Sequence, residues 1–294
     1  MRKSKYLILS GLYFDFNNDL TEIEKVKELF NKQNVLDLFR YNELKSIRIE
    51  QFKGYNIDLI YLPKNIEIIR NWAFANNKIE ILDLSNCINL KSIGDDAFFN
   101  NQIRYLRLPS NIKTISYNVF SSNKIKILDL SNCIKLEYIG YVAFANNQIK
   151  QLKLPDSIKL INDFAFSSNK IEILDISNCT NLNNIKFGVM RYNKIKQLKL
   201  PKNIMTIEEN AFETNEIEIL DLLEYNQLKN ISFYAFSSNP IKEVKILNDI
   251  DINYSYDDDY KYDLWNRFVK YYNRKGKQKG DYKLENNQWQ WYPL

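Results

Sequence analysis

The chain has 294 residues, a net charge of +5 and 45% hydrophobic residues, an ordinary composition for a folded protein with room for one large domain or two small ones. It contains no histidine, which excludes Ser-His-Asp and Cys-His machinery and histidine metal ligands and leaves only lysine- or carboxylate-based catalysis open. No apolar run approaches the ~18 residues of a membrane-spanning helix, and so mild a positive charge argues by itself for neither nucleic acid nor membrane.

The first stretch, Tyr6-Leu7-Ile8-Leu9, follows basic residues but reads poorly as a secretory leader. Ser10 and Gly11 interrupt it, Asp15 follows, and no A-x-A site appears. A strand pair is expected instead, Tyr6 to Leu9 and Tyr13 to Phe16. Thr21-x-x-Glu24 is a capping box, and Ile23, Val26 and Phe30 follow at helical spacing, so a helix is predicted near residues 20–32. Phe39, Asn42, Leu44, Ile47 and Ile49 repeat, in degenerate form, a spacing that becomes regular further on. Residues 1–56 therefore read as an N-terminal cap.

From about residue 57 to 249 the chain is periodic. Pro63, Pro109, Pro155 and Pro201 stand 46 residues apart, as do Cys87, Cys133 and Cys179. Phe74, Phe98, Phe120, Phe144, Phe166, Met190, Phe212 and Phe236 alternate 24 and 22 residues apart, so the period is a doublet of two slightly different repeats. Three residues after each stands asparagine: Asn77, Asn101, Asn123, Asn147, Asn169, Asn193, Asn215 and Asn239. The stretch Ile125-Lys126-Ile127-Leu128-Asp129-Leu130-Ser131-Asn132-Cys133 has the form L-x-x-L-x-L-x-x-N/C, the signature of a leucine-rich repeat. Its leucines alternate inward with period two, which predicts one short strand per repeat, stacked in parallel. The phenylalanines close the turns, and the asparagines are a structural ladder that bonds backbone groups of neighbouring turns.

Leu106-Arg107-Leu108-Pro109, then Ile112 and Ile115, then Val119-Phe120-Ser121-Ser122-Asn123, resembles the BspA-like leucine-rich repeats, whose pattern is L-x-x-L-x-L-P-x-x-I-x-x-I-x-x-x-A-F-x-x-C/N. The resemblance covers two thirds of the chain. It implies a non-enzymatic protein-binding module of bacterial surface or secreted type, with a host, matrix or self protein as partner. An intracellular interaction scaffold is the alternative, in keeping with the poor leader and the cysteines. An enzyme with a site in the tail is the remote one.

All three cysteines occupy ladder positions two repeats apart, about 9–10 Å, which is beyond the ~7 Å that a disulfide spans. Buried thiols are expected. Tyr61, Asp83, Arg107, Asp129, Lys153, Asp175, Lys199, Asp221 and Lys245 face outward between the strand leucines, and after the tyrosine their signs alternate as a self-compensating ladder. The neighbouring outward column, Leu59, Ile81, Tyr105, Ile127, Gln151, Ile173, Gln197 and Ile219, is the better pointer to a protein partner. The candidate binding residues are Tyr61, Ile81, Tyr105, Ile127 and Ile173.

Residues 250–294 read as a C-terminal cap. The acidic link Asp257-Asp258-Asp259 lacks the glycine and glutamate of an EF-hand and reads as a helix N-cap through Asp258 or Asp259. Leu264, Phe268 and Tyr272 mark a helix, Arg274 to Lys279 a solvated basic turn, and Tyr282, Leu284, Trp289 and Trp291 a hairpin around Glu285-Asn286-Asn287. The expectation is an α/β-type right-handed solenoid, curved, with one parallel sheet on its concave face and both ends capped. It binds no cofactor, metal or nucleic acid, does not insert into membranes, and is a monomer. Its location is the cell surface or outside by resemblance, with the cytoplasm open.

Overall fold

The computed structural model describes residues 34–253 and 263–294, together with the backbone of an N-terminal hairpin, Tyr6–Leu9 against Leu12–Asp15. The helix expected near 20–32 and the acidic link Asp257-Asp258-Asp259 lie outside the described residues.

The chain winds as a parallel β-solenoid of about 9 turns. Each turn places a three-residue strand on the concave face and a two-residue bridge on the return path, such as Ile127–Asp129 and Tyr138–Ile139. The strand pattern is exposed–buried–exposed, so Leu82, Leu106, Leu128, Leu152 and Leu174 point into one continuous core and meet Ile93, Ile115, Ile139, Ile161 and Ile185 from the bridges. Val35–Asp37 already forms a strand paired in parallel with Leu59–Tyr61. The segment read as cap therefore contains a complete turn, with Leu36 and Leu38 inward.

The parallel stack is segmented. Across every 24-residue step the strands pair over three residues, as between Ile127–Asp129 and Gln151–Lys153. Across the 22-residue steps only Leu59↔Ile81 pairs, and the ladder is otherwise interrupted. These steps begin at the strands that run into Pro63, Pro109, Pro155 and Pro201, and the residue before proline does not repeat the bond that Leu84 N–H makes to the Arg107 carbonyl: the Leu200 N–H, for one, goes to the Tyr225 hydroxyl instead. The cysteines fill the gap: Cys87 Sγ lies 3.9 Å from the Pro63 carbonyl and Cys179 Sγ 3.6 Å from that of Pro155.

Two ladders run the length of the core. Phe52, Phe74, Phe98, Phe120, Phe144 and Phe166 stack with centroids 5.3–5.7 Å apart, Met190 interrupts them, and Phe212 and Phe236 resume. Each asparagine ties its turn to the one before. Asn123 Nδ2 donates to the carbonyls of Phe98, Phe120 and Ser121 at 3.0–3.2 Å, and its Oδ1 accepts the Ile103 N–H at 2.9 Å.

The C-terminal end is closed by helix α1, Leu264–Arg274, and a hairpin. The residue that caps α1 is Asp263, not Asp258 or Asp259: its carboxylate accepts the Asn266 N–H at 3.0 Å and also the Ser238 N–H of the last turn. Capping from Asp263 lets α1 present Trp265, Phe268 and Tyr272, all fully buried, while Leu264 is only half-buried. Trp265 packs on Phe236 at 5.0 Å and so continues the phenylalanine ladder. Gly280–Glu285 then pairs antiparallel with Glu243–Ile246, and Gln288–Tyr292 with Gly280–Glu285. The last two strands of the concave sheet are thus antiparallel. Asn286 and Asn287 have φ of 47° and 60°, the left-handed pair a two-residue hairpin turn demands.

Candidate protein-binding face

A strand side chain that does not enter the core must face the concave surface. Ile81, Tyr105 and Ile127 do so at 51%, 41% and 60% exposure, and Tyr61 at 48%. Leu59 stands in register with Ile81, and Ile81 with Tyr105, on strands ~4.8 Å apart. Tyr61 lies two residues along from Leu59 on the same face. The register thus gathers Tyr61, Ile81 and Tyr105, Ile127 follows on the next turn across an unpaired step, and the Arg107 guanidinium covers the Tyr105 ring at 5.2 Å. Ile173 is as exposed but stands apart, because its registered neighbour is Gln197 and Gln151 precedes it. Ile219 is exposed in the same way, opposite Glu243. Phe39, Ile88 and Ile134, which lie in turns, are exposed as well.

The charged column is made of separate pairs. Lys153 reaches Asp129 at 3.9 Å and Lys199 reaches Asp175 at 3.7 Å, both across 24-residue steps. Arg107 turns to Tyr105, and Lys245 bonds Glu243 at 3.3 Å. The aspartates have a nearer duty. Asp129 Oδ1 accepts the Ser131 hydroxyl at 2.6 Å and its N–H at 3.0 Å, and Asp83 and Asp175 treat Ser85 and Ser177 alike. The serine hydroxyl, more than the facing lysine, holds the Asp129 and Asp175 carboxyls below their usual range. This Asp-x-Ser turn was readable in the repeated Asp-Leu-Ser and Asp-Ile-Ser, since aspartate bonding the backbone two residues on is a turn signature.

Cys87, Cys133 and Cys179 are free and buried. Burial, with a nearby aspartate adding to it, pushes their thiols up to about 11, 11 and 12. The fourth position of their column is Tyr225, whose hydroxyl accepts the Leu200 N–H at 3.1 Å. Leu198 beside it is only partly buried, and two open hollows of about 760 and 800 Å³ are both lined by Leu198 and Tyr225. A bidentate ion pair went unforeseen: Arg191 Nε and Nη2 meet Glu213 at 2.6 and 3.1 Å, at positions held by alanine, serine, phenylalanine or, in the Phe52 turn, lysine elsewhere. In the tail, Lys277 pairs with Asp251 at 2.7 Å and Lys275 lies over Tyr271 and Trp291, so two of the basic-turn residues serve structure. Among the described residues no cluster of three or more acidic or cysteine side chains could hold a metal ion, and no helix is long and apolar enough to cross a membrane.

The BspA-type leucine-rich repeat region, a model of six copies, matches residues 22–148 and 137–257. The chain belongs to the BspA-type leucine-rich repeat family. Solenoids of this family are protein-interaction modules, on a fold that is generally non-enzymatic. No curated protein matches the chain. Among solved structures it is similar to the pneumococcal vaccine antigen PcpA, at 18% identity and TM-score 0.44 over 67% of this chain and 61% of that one. A leucine-rich repeat protein of Bacteroides ovatus matches at 16% and 0.43 over 71% and 54%. The functional domain of InlJ from Listeria monocytogenes matches at 20% and 0.45 over 76% and 43%. The BspA-type chain therefore spans only 43–61% of these three proteins.

Proposed function

We propose that this BspA-type solenoid binds another protein through its concave face and serves adhesion or interaction at a bacterial surface or outside the cell. The observation that carries the reading is the apolar group of Tyr61, Ile81, Tyr105 and Ile127, exposed on successive turns, where the other exposed strand isoleucines, Ile173 and Ile219, stand singly. Tyrosine offers large contact area with few rotors to freeze, and a flat apolar centre ringed by charge is the anatomy of a binding patch. The tail buries Trp265, Phe268, Tyr272, Tyr282 and Trp289 in closing the solenoid. An interaction scaffold inside the cell is the second reading, favoured by three unpaired thiols in one chain. Washed-cell fractionation separates the two.

The concave assignment is tested by capture from host extract and from the cell's own lysate. Tyr105→Ala with Ile127→Asp abolishes capture and leaves the circular dichroism and melting curve nearly unchanged. Capture that survives this change but is lost when residues 250–294 are removed from a still-folded array assigns binding to the tail instead.

A further inference from the structure

The column just ahead of the concave strands reads Asp58, Glu80, Arg104, Lys126, Lys150, Glu172, Lys196, Glu218 and Lys242. Toward its ends opposite charges engage: Arg104 meets Glu80 at 3.9 Å, Lys196 meets Glu216 at 3.3 Å, and Lys242 meets Glu218 at 3.1 Å. In the middle the alternation stops, and Arg104, Lys126 and Lys150 follow one another on successive turns ~4.8 Å apart. The Lys150 N–H bonds the Lys126 carbonyl at 2.8 Å, which fixes the two as direct neighbours. Two residues earlier in the repeat, Lys124, Lys170 and Lys194 widen the strip. Lys126, Lys150, Lys170 and Lys194 are exposed, and no ion pair reaches them among the described residues. Like charges on neighbouring turns repel. The column thus runs from an acidic pair, Asp58 and Glu80, through three successive cations to strict alternation from Lys150 to Lys242.

The strip adjoins the apolar row: Arg104 precedes Tyr105 and Lys126 precedes Ile127. We infer that this basic strip is the electrostatic half of the concave binding site, and that the partner is a protein whose surface sets acidic residues beside apolar ones. The inference rests on the concave-face reading and adds the partner's charge. An anionic glycan would satisfy the lysines but has no apolar side chains for Tyr105 and Ile127, so the pairing of the two rows favours protein. One-signed charge beside the contact area speeds encounter and makes affinity fall with salt.

The test is fluorescence anisotropy on the full chain with three probes: a labelled peptide alternating glutamate with leucine, the same peptide with lysine for glutamate, and labelled heparin. Lys126→Glu with Lys150→Glu reverses the strip, and Lys150→Gln alone is the milder variant. The glutamate peptide is expected to bind more weakly as salt rises, to lose at least about tenfold in affinity on charge reversal, and to outbind the lysine peptide. Unchanged affinity after charge reversal, with loss in Tyr105→Ala/Ile127→Asp, overturns the strip and leaves the concave-face reading standing. Loss on charge reversal with no effect of the apolar pair overturns that reading instead. Heparin binding that charge reversal abolishes, with no binding of the glutamate peptide, assigns the strip to a glycan and overturns the protein partner.

Discussion

At the scale of the residue, asparagine is the most constrained position in the array. Each ladder asparagine is 4–7% exposed and uses both ends of its amide on buried backbone groups, and successive asparagines share a carbonyl, as Asn101 and Asn123 share that of Phe98. Asn123→Ala leaves the Ile103 N–H without its partner in a dry interior and takes one donor each from the Phe98, Phe120 and Ser121 carbonyls, and is expected to cost about 1–3 kcal/mol in denaturant unfolding. Asn123→Asp costs more, because it turns a carboxylate toward those carbonyls. The cysteines make the opposite case. Their pKa values are raised, so in the native state they remain neutral thiols through pH 8, well below about 11. Alkylation at that pH labels almost nothing in the folded protein and three groups after denaturation; rapid labelling of the native chain contradicts their placement. Both columns were legible in the sequence because a 46-residue period makes each position its own control. Tyr225 and the Arg191–Glu213 pair were not. Tyr225 departs from its column at one turn and the ion pair at two adjacent ones, and only three-dimensional neighbours give the departures a meaning.

At the scale of the element, the strand face alternates between what must stay and what can go. Phe144 is fully buried between Phe120 and Phe166, and Phe144→Ala is expected to cost about 3–5 kcal/mol. Lys153, exposed and 3.9 Å from Asp129, changes stability by less than about 1 kcal/mol on replacement by alanine. Equal shifts of the two denaturation midpoints contradict the assignment of core and surface. Strand positions followed directly from period-two leucines, but the broken ladder at the proline steps did not. A proline and an inward cysteine look compatible with an unbroken sheet until the repeats are stacked. The helix cap slipped for a similar reason: Asp258, Asp259 and Asp263 are equally good caps locally, and the fit of Trp265 against Phe236 selects among them.

At the scale of the molecule, a solenoid stabilised by neighbour contacts presents one long face, and its repeats differ from one another mainly where side chains leave that face. Tyrosine and isoleucine stand together only over the strands Leu59–Tyr61 to Ile127–Asp129, and the basic strip overlaps that stretch. The apolar column could be read from sequence as a list of residues. That Leu59, Ile81 and Tyr105 stand in one register while Ile173 faces Gln197 needed the stacked strands. The central claim is that the partner sits on this row, and hydroxyl-radical footprinting of the captured complex tests it most directly. Tyr61, Tyr105 and Ile127 should lose their modification in the complex, while Tyr117, Tyr141 and Ile134, equally exposed elsewhere, keep theirs. Protection of Tyr117, Tyr141 or Tyr292 with the row still modified would contradict it.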